Sequence, residues 1–297
     1  MGTPDFAVPS LRALVENNFK VVAVVTAADK PKGRGQKLVP SPVKRAAQEF
    51  NIPVLQPKNL KSQEFQQRLQ DYNPNLQVVV AFRMLPEVVW QYPEYGTFNL
   101  HASLLPQYRG AAPINWAIIN GEKTTGLTTF FLQHEIDTGN IIAQEKIVIS
   151  ESDNAGSLHD KMMQQGAALV LETVQKIADN DFELTPQSAQ VDSKEAPKLN
   201  KESTAIDWNQ PVAKVHNFIR GLSPYPSAWT QINGSYYKIL ASAPNYDHSN
   251  LQPGEYLSDD KSFLQIKCGD GMLCILELQK EGKRRMDIQS FLRGNEL

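Results

Sequence analysis

Cysteine is scarce: the 297 residues hold only Cys268 and Cys274. Two thiols make neither a disulfide framework nor a four-cysteine zinc site, and a reducing cytoplasm is the expected home. Long apolar runs are missing as well. The longest, residues 21–25 and 78–82, fall far short of the ~18 residues of a membrane span. Met1-Gly2-Thr3-Pro4-Asp5-Phe6 has neither the basic stretch nor the apolar core of a secretory signal. Net charge is nearly absent too, since 30 Lys and Arg against 32 Asp and Glu leave −2. A generally basic nucleic-acid coat is thereby excluded. No internal repeat occurs, and 41% hydrophobic with 21% charged residues excludes collagen-like and disordered chains.

The chain is long enough for about two domains at roughly 100–200 residues each. Residues 19–26 (FKVVAVVT) and 75–82 (NLQVVVAF) are β-branched and almost continuously apolar, as strands buried on both faces of a parallel sheet are. Residues 96–101 form a shorter version, and 124–132 and 140–149 read as two further strands. Helical stretches lie at 7–16, 41–50, 62–71 and 154–178. Pro42 suits a first helical turn, where a missing N–H costs nothing. In the last helix Leu158, Met162, Ala168, Leu169 and Val174 make the face a sheet would bury. Strands alternating with helices predict an α/β fold with a doubly wound, mostly parallel, Rossmann-like sheet.

Residues 184–202 are polar, carry two prolines and no aromatic residue, and read as a linker. Beyond them an amphipathic helix at 206–221 precedes short β-rich runs split by Asn233-Gly234 and Gly269-Asp270-Gly271, the pattern of a small OB-like β-barrel. The expected organisation is a catalytic domain at 1–183, a linker at 184–202 and a β-barrel at 203–297. Such a sheet opens with its central strand, whereas Met1 falls at the turn after one. An empty central slot would leave two rows of ladder groups unpaired, so residues before Met1 are expected.

The densest cluster of chemically able residues is Asn99-Leu100-His101-Ala102-Ser103-Leu104-Leu105-Pro106, followed by Arg109-Gly110. Asn99 and His101, two apart at a strand end, share a face, and strand ends border the crevice of open α/β sheets. Asp137, in Ile136-Asp137-Thr138-Gly139, follows another strand and can reach the same place. Each residue alone has a plainer reading: a histidine near a strand end is more often structural, and Asp-Thr-Gly is a common turn. Together, an amide, an imidazole that titrates near neutrality and a carboxylate point to chemistry. No metal-ligand set is present, and no Gly-x-Ser-x-Gly elbow supports a serine hydrolase.

These residues resemble the signature of the 10-formyltetrahydrofolate-dependent formyltransferases. Gly2-Thr3-Pro4-Asp5-Phe6-Ala7, Lys32-Gly33-Arg34-Gly35, Pro40-Ser41-Pro42-Val43-Lys44, Ile206-Asp207-Trp208 and Pro224-Tyr225-Pro226 narrow it to the branch that acts on methionyl-tRNA. The resemblance implies formyl transfer from 10-formyltetrahydrofolate to the α-amino group of methionyl initiator tRNA, by a monomer without metal. It implies that Asn99 and His101 stabilise the oxyanion, that Asp137 sets the protonation state of His101 and orders a proton-carrying water, and that the folate lies along Ser103, Leu104, Leu105 and Pro106. The pterin would rest against the 82–86 and 134–139 loops, the first of which is one residue shorter than the common family form. The alternative is the same chemistry on a small amine, glycinamide ribonucleotide or an amino sugar nucleotide; a catalytically idle tRNA-binding module is a third reading.

Residues 29–45 discriminate between acceptors. Six cations and one acid make a local +5 in an acidic chain. An ordinary charge run is a solvated loop, but glycines between cations suit a loop that orders on phosphates. By resemblance Lys30, Lys32, Arg34 and Lys37 contact tRNA. Gly33-x-Gly35 lacks the third glycine of a dinucleotide fingerprint. Residues 200–297 balance 11 cations with 11 acids; Lys280, Lys283, Arg284 and Arg285 fit either an RNA-tracking cluster or an exposed turn. Trp208 and Trp229 read as packing aromatics, and the cysteines as core thiols.

Overall fold

The computed structural model describes residues 1–32, 36–187 and 193–297. Two compact units emerge, residues 1–109 with 126–147 and 159–194, and residues 110–125 with 148–158 and 195–297.

In the first unit Val24–Val25 pairs in parallel with Val54–Leu55, and Gln77–Val80 pairs in parallel with Thr97–His101. Met1 and Gly2 stand between these two pairs. The Gly2 N–H donates to Val25 O at 3.1 Å, Val80 N–H donates to Met1 O at 2.9 Å, and Gly2 bridges Val80 in parallel. Below them lies a cavity of about 800 Å³ lined by Leu11, Val22, Val24, Leu69, Tyr72 and Val78, among others. The strand expected over 19–26 is therefore only Val24–Val25. Residues 19–23 border the cavity, and an apolar β-branched run becomes a ladder only where a second backbone meets it.

Thr124–Phe131 runs antiparallel to Thr97–His101, and Ile141–Val148 follows it in the sheet order. The sheet is parallel on one side and antiparallel on the other. Ser41 caps the helix Pro42–Glu49 by accepting from Lys44 N–H at 3.0 Å, with proline in the first turn. The long helix Ala155–Ala178 buries Leu158, Met162, Leu169 and Val174. Ala168 is exposed and Ala167 takes the inward place, because the 3.6-residue period turns position 168 away. Gly166 brings this helix against the sheet: a Cβ there would lie 2.8 Å from Leu100 Cδ2. The Thr129 and Thr173 hydroxyls, buried and 2.9 Å apart, fix the helix to the middle strand. No helix among the described residues is long and apolar enough to cross a membrane.

In the second unit, strands Ala228–Ile232, Ser235–Asn245, Met272–Lys280, Leu264–Lys267 and Tyr256–Ser258 form an antiparallel sheet in that order, with Met286–Asp287 added to Met272–Lys280. The sheet curls into a half-barrel, and register shifts around Ala241 supply the bend. Helix Val212–Leu222 places Val212, Val215, Ile219 and Leu222 into its core with Tyr237 and Phe291. Arg220 on this helix is buried and donates to the carbonyls of Ser150 at 3.1 Å and Asp153 at 2.9 Å. Segment 148–158 thereby joins this unit. Between residues 184 and 202, Thr185 bridges Ile141 and Glu195–Ala196 is a short strand.

Candidate active site

Strand Thr97–His101 sets Asn99 and His101 on one face, Asn99 half-buried and His101 buried. His101 Nε2 donates to Tyr108 O at 2.8 Å, and its ring meets Phe130 edge-on at 6.5 Å. A carbonyl can only accept, so Nε2 carries the proton and the neutral ring presents a bare Nδ1. Nδ1 lies 3.8 Å from Asp137 Oδ2, both side chains being at most 14% exposed. Nδ1 is therefore the ring nitrogen left open to a ligand, with the Asp137 carboxylate beside it. The distance exceeds a hydrogen bond, so Nδ1 is not committed to the carboxylate. Tyr108 turns its carbonyl to the ring from a left-handed backbone, φ +59°, a conformation rare for a bulky residue.

The loop between His101 and Tyr108 hangs on one hydroxyl. Thr128, fully buried opposite His101 in the sheet, donates to Ser103 O at 2.7 Å and accepts from Leu105 N–H at 3.1 Å. Gln144 Nε2 donates to the same hydroxyl and to Leu105 O, each at 2.9 Å. Ser103 is buried, its hydroxyl donating to Gln107 O at 2.5 Å. Leu105 is buried against Phe130 and Ile141. Leu104 and Pro106 are half-buried. Of the four expected folate-contacting residues, Ser103 and Leu105 thus shape the loop, their side chains buried and Ser103 O, Leu105 N–H and Leu105 O engaged by Thr128 and Gln144.

Asp137 sits on a turn whose geometry is narrowly defined. Its φ is +56°, which aspartate tolerates better than most residues. Two residues later, a Cβ on Gly139 would lie 1.7 Å from Phe131 O, so glycine is obligatory there. His134 Nε2 stands 3.1 Å from Glu87 Oε1 and packs edge-on against Trp90, drawing the 133–139 loop to helix Glu87–Trp90. Around this junction Met84, Val88 and Ile136 are all more than half exposed. An apolar rim beside buried polar groups fits a flat heteroaromatic ligand with a polar reacting end.

The basic segment is a hairpin, Lys30–Lys32 antiparallel to Lys37–Val39, with Lys30 and Lys37 exposed. Arg34 lies outside the described residues, and Lys32 is described through its backbone alone. The hairpin base is tied down. Lys44 Nζ donates to Asp29 Oδ2 at 2.7 Å and Gln56 Oε1 at 2.8 Å, and Gln56 Nε2 donates to Asp29 Oδ1 at 2.8 Å. The Lys44 and Gln56 hydrogen bonds hold the Asp29 carboxyl below its usual range.

In the second unit Lys280 lies over the Tyr237 ring and donates to Glu296 O at 3.1 Å. Arg285 pairs with Glu277, while Lys283 and Arg284 are exposed. Trp208 donates to Thr230 at 3.0 Å and Trp229 to Lys201 O at 2.7 Å. Burial pushes the Cys268 thiol up to about 12, as in a core position. The residues that the sequence did not single out are Tyr108, Thr128, Gln144 and Gln187. Their partners lie up to 78 positions away, and Thr128 is one of four threonines in its strand, so no local signal singled it out.

Residues 1–174 match the model of the formyl transferase family, and residues 198–296 that of the formyl transferase C-terminal domain. The methionyl-tRNA formyltransferase of Bacteroides fragilis is 52% identical over 302 residues, covering 99% of this chain and 93% of that protein. That of Bacteroides thetaiotaomicron is 51% identical, with 99% and 94% covered. Among solved structures, the sugar 3N-formyl transferase WlaRD, crystallised with dTDP and 5-N-formyl-THF, superposes with a TM-score of 0.69 at 23% identity, over 95% of this chain and 97% of that one. The Helicobacter canadensis N-formyltransferase, in complex with folinic acid and dTDP-3-aminofucose, gives 0.66 at 23% identity, over 94% and 97%. At that identity the solved structures establish the fold. The relatives near 50% establish more: this chain belongs to the methionyl-tRNA formyltransferase family of formyl transferases.

Proposed function

We propose that this chain transfers the formyl group of 10-formyltetrahydrofolate to the α-amino group of methionyl initiator tRNA, with Asn99, His101 and Asp137 as its catalytic residues. The observation that carries the reading is His101, buried, pinned through Nε2 to Tyr108 O and facing Asp137 through Nδ1. The folate donor supplies an electrophilic formyl carbon on a nitrogen that leaves. An α-amino group with a pKa of about 7.7–8.0 is partly neutral at physiological pH, so no strong base is required to make it a nucleophile.

The work left to the chain is electrostatic. The Asn99 amide and the protonated His101 Nδ1 supply donors where negative charge grows on the formyl oxygen, and one such donor is typically worth ~10²–10³ in rate. Asp137 accepts from a water that carries the proton between the two nitrogens. The half-buried Leu104 and Pro106 of the 103–106 loop, whose shape Thr128 holds, and the exposed apolar side chains of Met84, Val88 and Ile136 suit the folate. Lys30, Lys32, Arg34 and Lys37 suit the phosphates of the acceptor end. A tRNA substrate fits a reaction in the cytoplasm, and the proposed assembly is a monomer.

The test offers methionyl initiator tRNA, glycinamide ribonucleotide and an amino sugar nucleotide in separate reactions with 10-formyltetrahydrofolate. Formylation of the tRNA alone is the expected result. Formylation of a small amine alone would leave the Asn99–His101–Asp137 core standing and refute the acceptor.

A further inference from the structure

Asp137 and Arg109 are joined by a single side chain from a third segment. Gln187 Nε2 donates to Asp137 O at 3.0 Å and to Gly139 O at 2.8 Å, while its Oε1 accepts from Arg109 Nε at 3.1 Å and from a terminal Arg109 nitrogen at 2.6 Å. A primary amide has two N–H donors and one oxygen with two lone pairs, and all of that capacity is used here. The two accepting carbonyls flank Thr138, so the amide spans the turn that presents Asp137. Arg109 follows Tyr108, whose carbonyl holds His101 Nε2. One side chain therefore grips both supports of the His101–Asp137 pair: the turn under the carboxylate and the segment whose carbonyl orients the imidazole.

The turn requires such a grip. Asp137 holds a left-handed backbone, and Gly139 passes so close to Phe131 that no Cβ fits. Other hydrogen bonds of the turn are local and exposed: Thr138 Oγ1 donates to Glu135 O at 3.0 Å, and Gln133 Nε2 donates to Thr138 Oγ1 at 2.6 Å. Water competes with bonds of that kind. Gln187 is half-buried and is the long-range polar anchor that the turn receives from the segment after the long helix, where Thr185 exchanges both backbone hydrogen bonds with Ile141, at 2.8 and 3.0 Å.

We propose that Gln187 is a positioning residue for formyl transfer: it sets the distance and direction of the Asp137 carboxylate relative to His101 Nδ1 without touching substrate. The proposal rests on the catalytic reading of Asp137. It also gives the segment that joins the two family-matched regions a part in catalysis, since a pull on residues 185–187 reaches the carboxylate through one amide.

Displacing a reacting group by about 1 Å costs up to ~10²-fold in rate, so Gln187→Ala is expected to lower kcat about 10- to 100-fold, with KM for both substrates little changed. Gln187→Glu keeps an acceptor for Arg109 and loses both N–H donors, so it should reproduce the kcat loss while protecting the fold. The decisive comparison is in the Asp137→Asn background. Residues that act through one another are non-additive, so Gln187→Ala added to Asp137→Asn should lower kcat by much less than it does in the wild-type chain. The pH profile of kcat in Gln187→Ala should also move toward that of Asp137→Asn. A Gln187→Glu chain with wild-type kcat, or losses that multiply in the double variant, would overturn the proposal. Asp137→Asn with wild-type turnover would refute the catalytic reading beneath it, a result read from that single variant alone.

Discussion

Thr128→Val removes one oxygen and keeps the shape of the side chain. In the folded chain that oxygen serves three groups, Ser103 O, Leu105 N–H and Gln144 Nε2. Gln144 keeps its bond to Leu105 O and loses little. Ser103 O and Leu105 N–H lose the hydroxyl as partner within buried residues, at about 1–3 kcal/mol for each orphaned buried group. The sum is about 2–6 kcal/mol, and partial relaxation of the loop puts the expected loss near 3 kcal/mol. For a folding unit of this size each kcal/mol moves the midpoint by about 2–4 °C, so a Tm lower by about 6–12 °C is predicted. Differential scanning calorimetry reads it directly, because the first unit carries the transition that should move. Thr129→Val is the control. Thr173 donates its own hydroxyl proton to Leu169 O, so removing Thr129 Oγ1 strips Thr173 of a donor and orphans no N–H, and the loss should stay within about 1 kcal/mol. If Thr128→Val melts within about 2 °C of wild type, the hydroxyl does not hold the 103–108 loop, and the account of how His101 and the folate-facing backbone are positioned is wrong.

Two further outcomes follow from charge. Arg34→Ala should weaken tRNA binding across sequences and reduce the slope of log K against log salt by roughly 0.7–0.9; an unchanged slope in filter binding would remove Arg34 from the phosphate contacts. His216 is held below its ordinary value of 6.5 by burial first and by the nearby Arg220 charge second, and its Nδ1 lies 3.0 Å from Ser242 Oγ. Below about 6.5 the unfolded chain then binds more protons than the folded one. The histidine's contribution is therefore complete above that pH and is lost as pH falls toward the lowered folded value. Between pH 7.5 and 5 the Tm of wild type should fall more than that of His216→Gln, and parallel curves would contradict the assignment.

Much of this was legible from local pattern. Asn99 and His101 announce themselves because a two-residue spacing on a strand fixes a common face, and the half-barrel because its turns are written in Asn233-Gly234 and Gly269-Asp270-Gly271. The long apolar helix read correctly except for its register at Ala167 and Ala168, where two alanines leave the period to be decided by the close approach at Gly166. At 19–26 only Val24–Val25 forms a strand: β-branched residues declare an apolar environment, but a ladder depends on a partner backbone that local sequence does not reveal. The hairpin of Lys30–Lys32 and Lys37–Val39 has no signature in the sequence, since its charged strands carry no inward-facing alternation. Thr128, Gln144 and Gln187 escaped for a shared reason. Each acts on backbone amides and carbonyls far away in sequence, and those groups look the same at every residue.

The most direct test of the central claim is formyl transfer to methionyl initiator tRNA by His101→Ala, measured beside tRNA binding by the same protein. Turnover lower by at least ~10²-fold with tRNA affinity unchanged is the predicted result, because the imidazole is buried against Tyr108 O and Asp137 rather than presented to RNA. A His101→Ala chain that formylates at the wild-type rate would contradict the account.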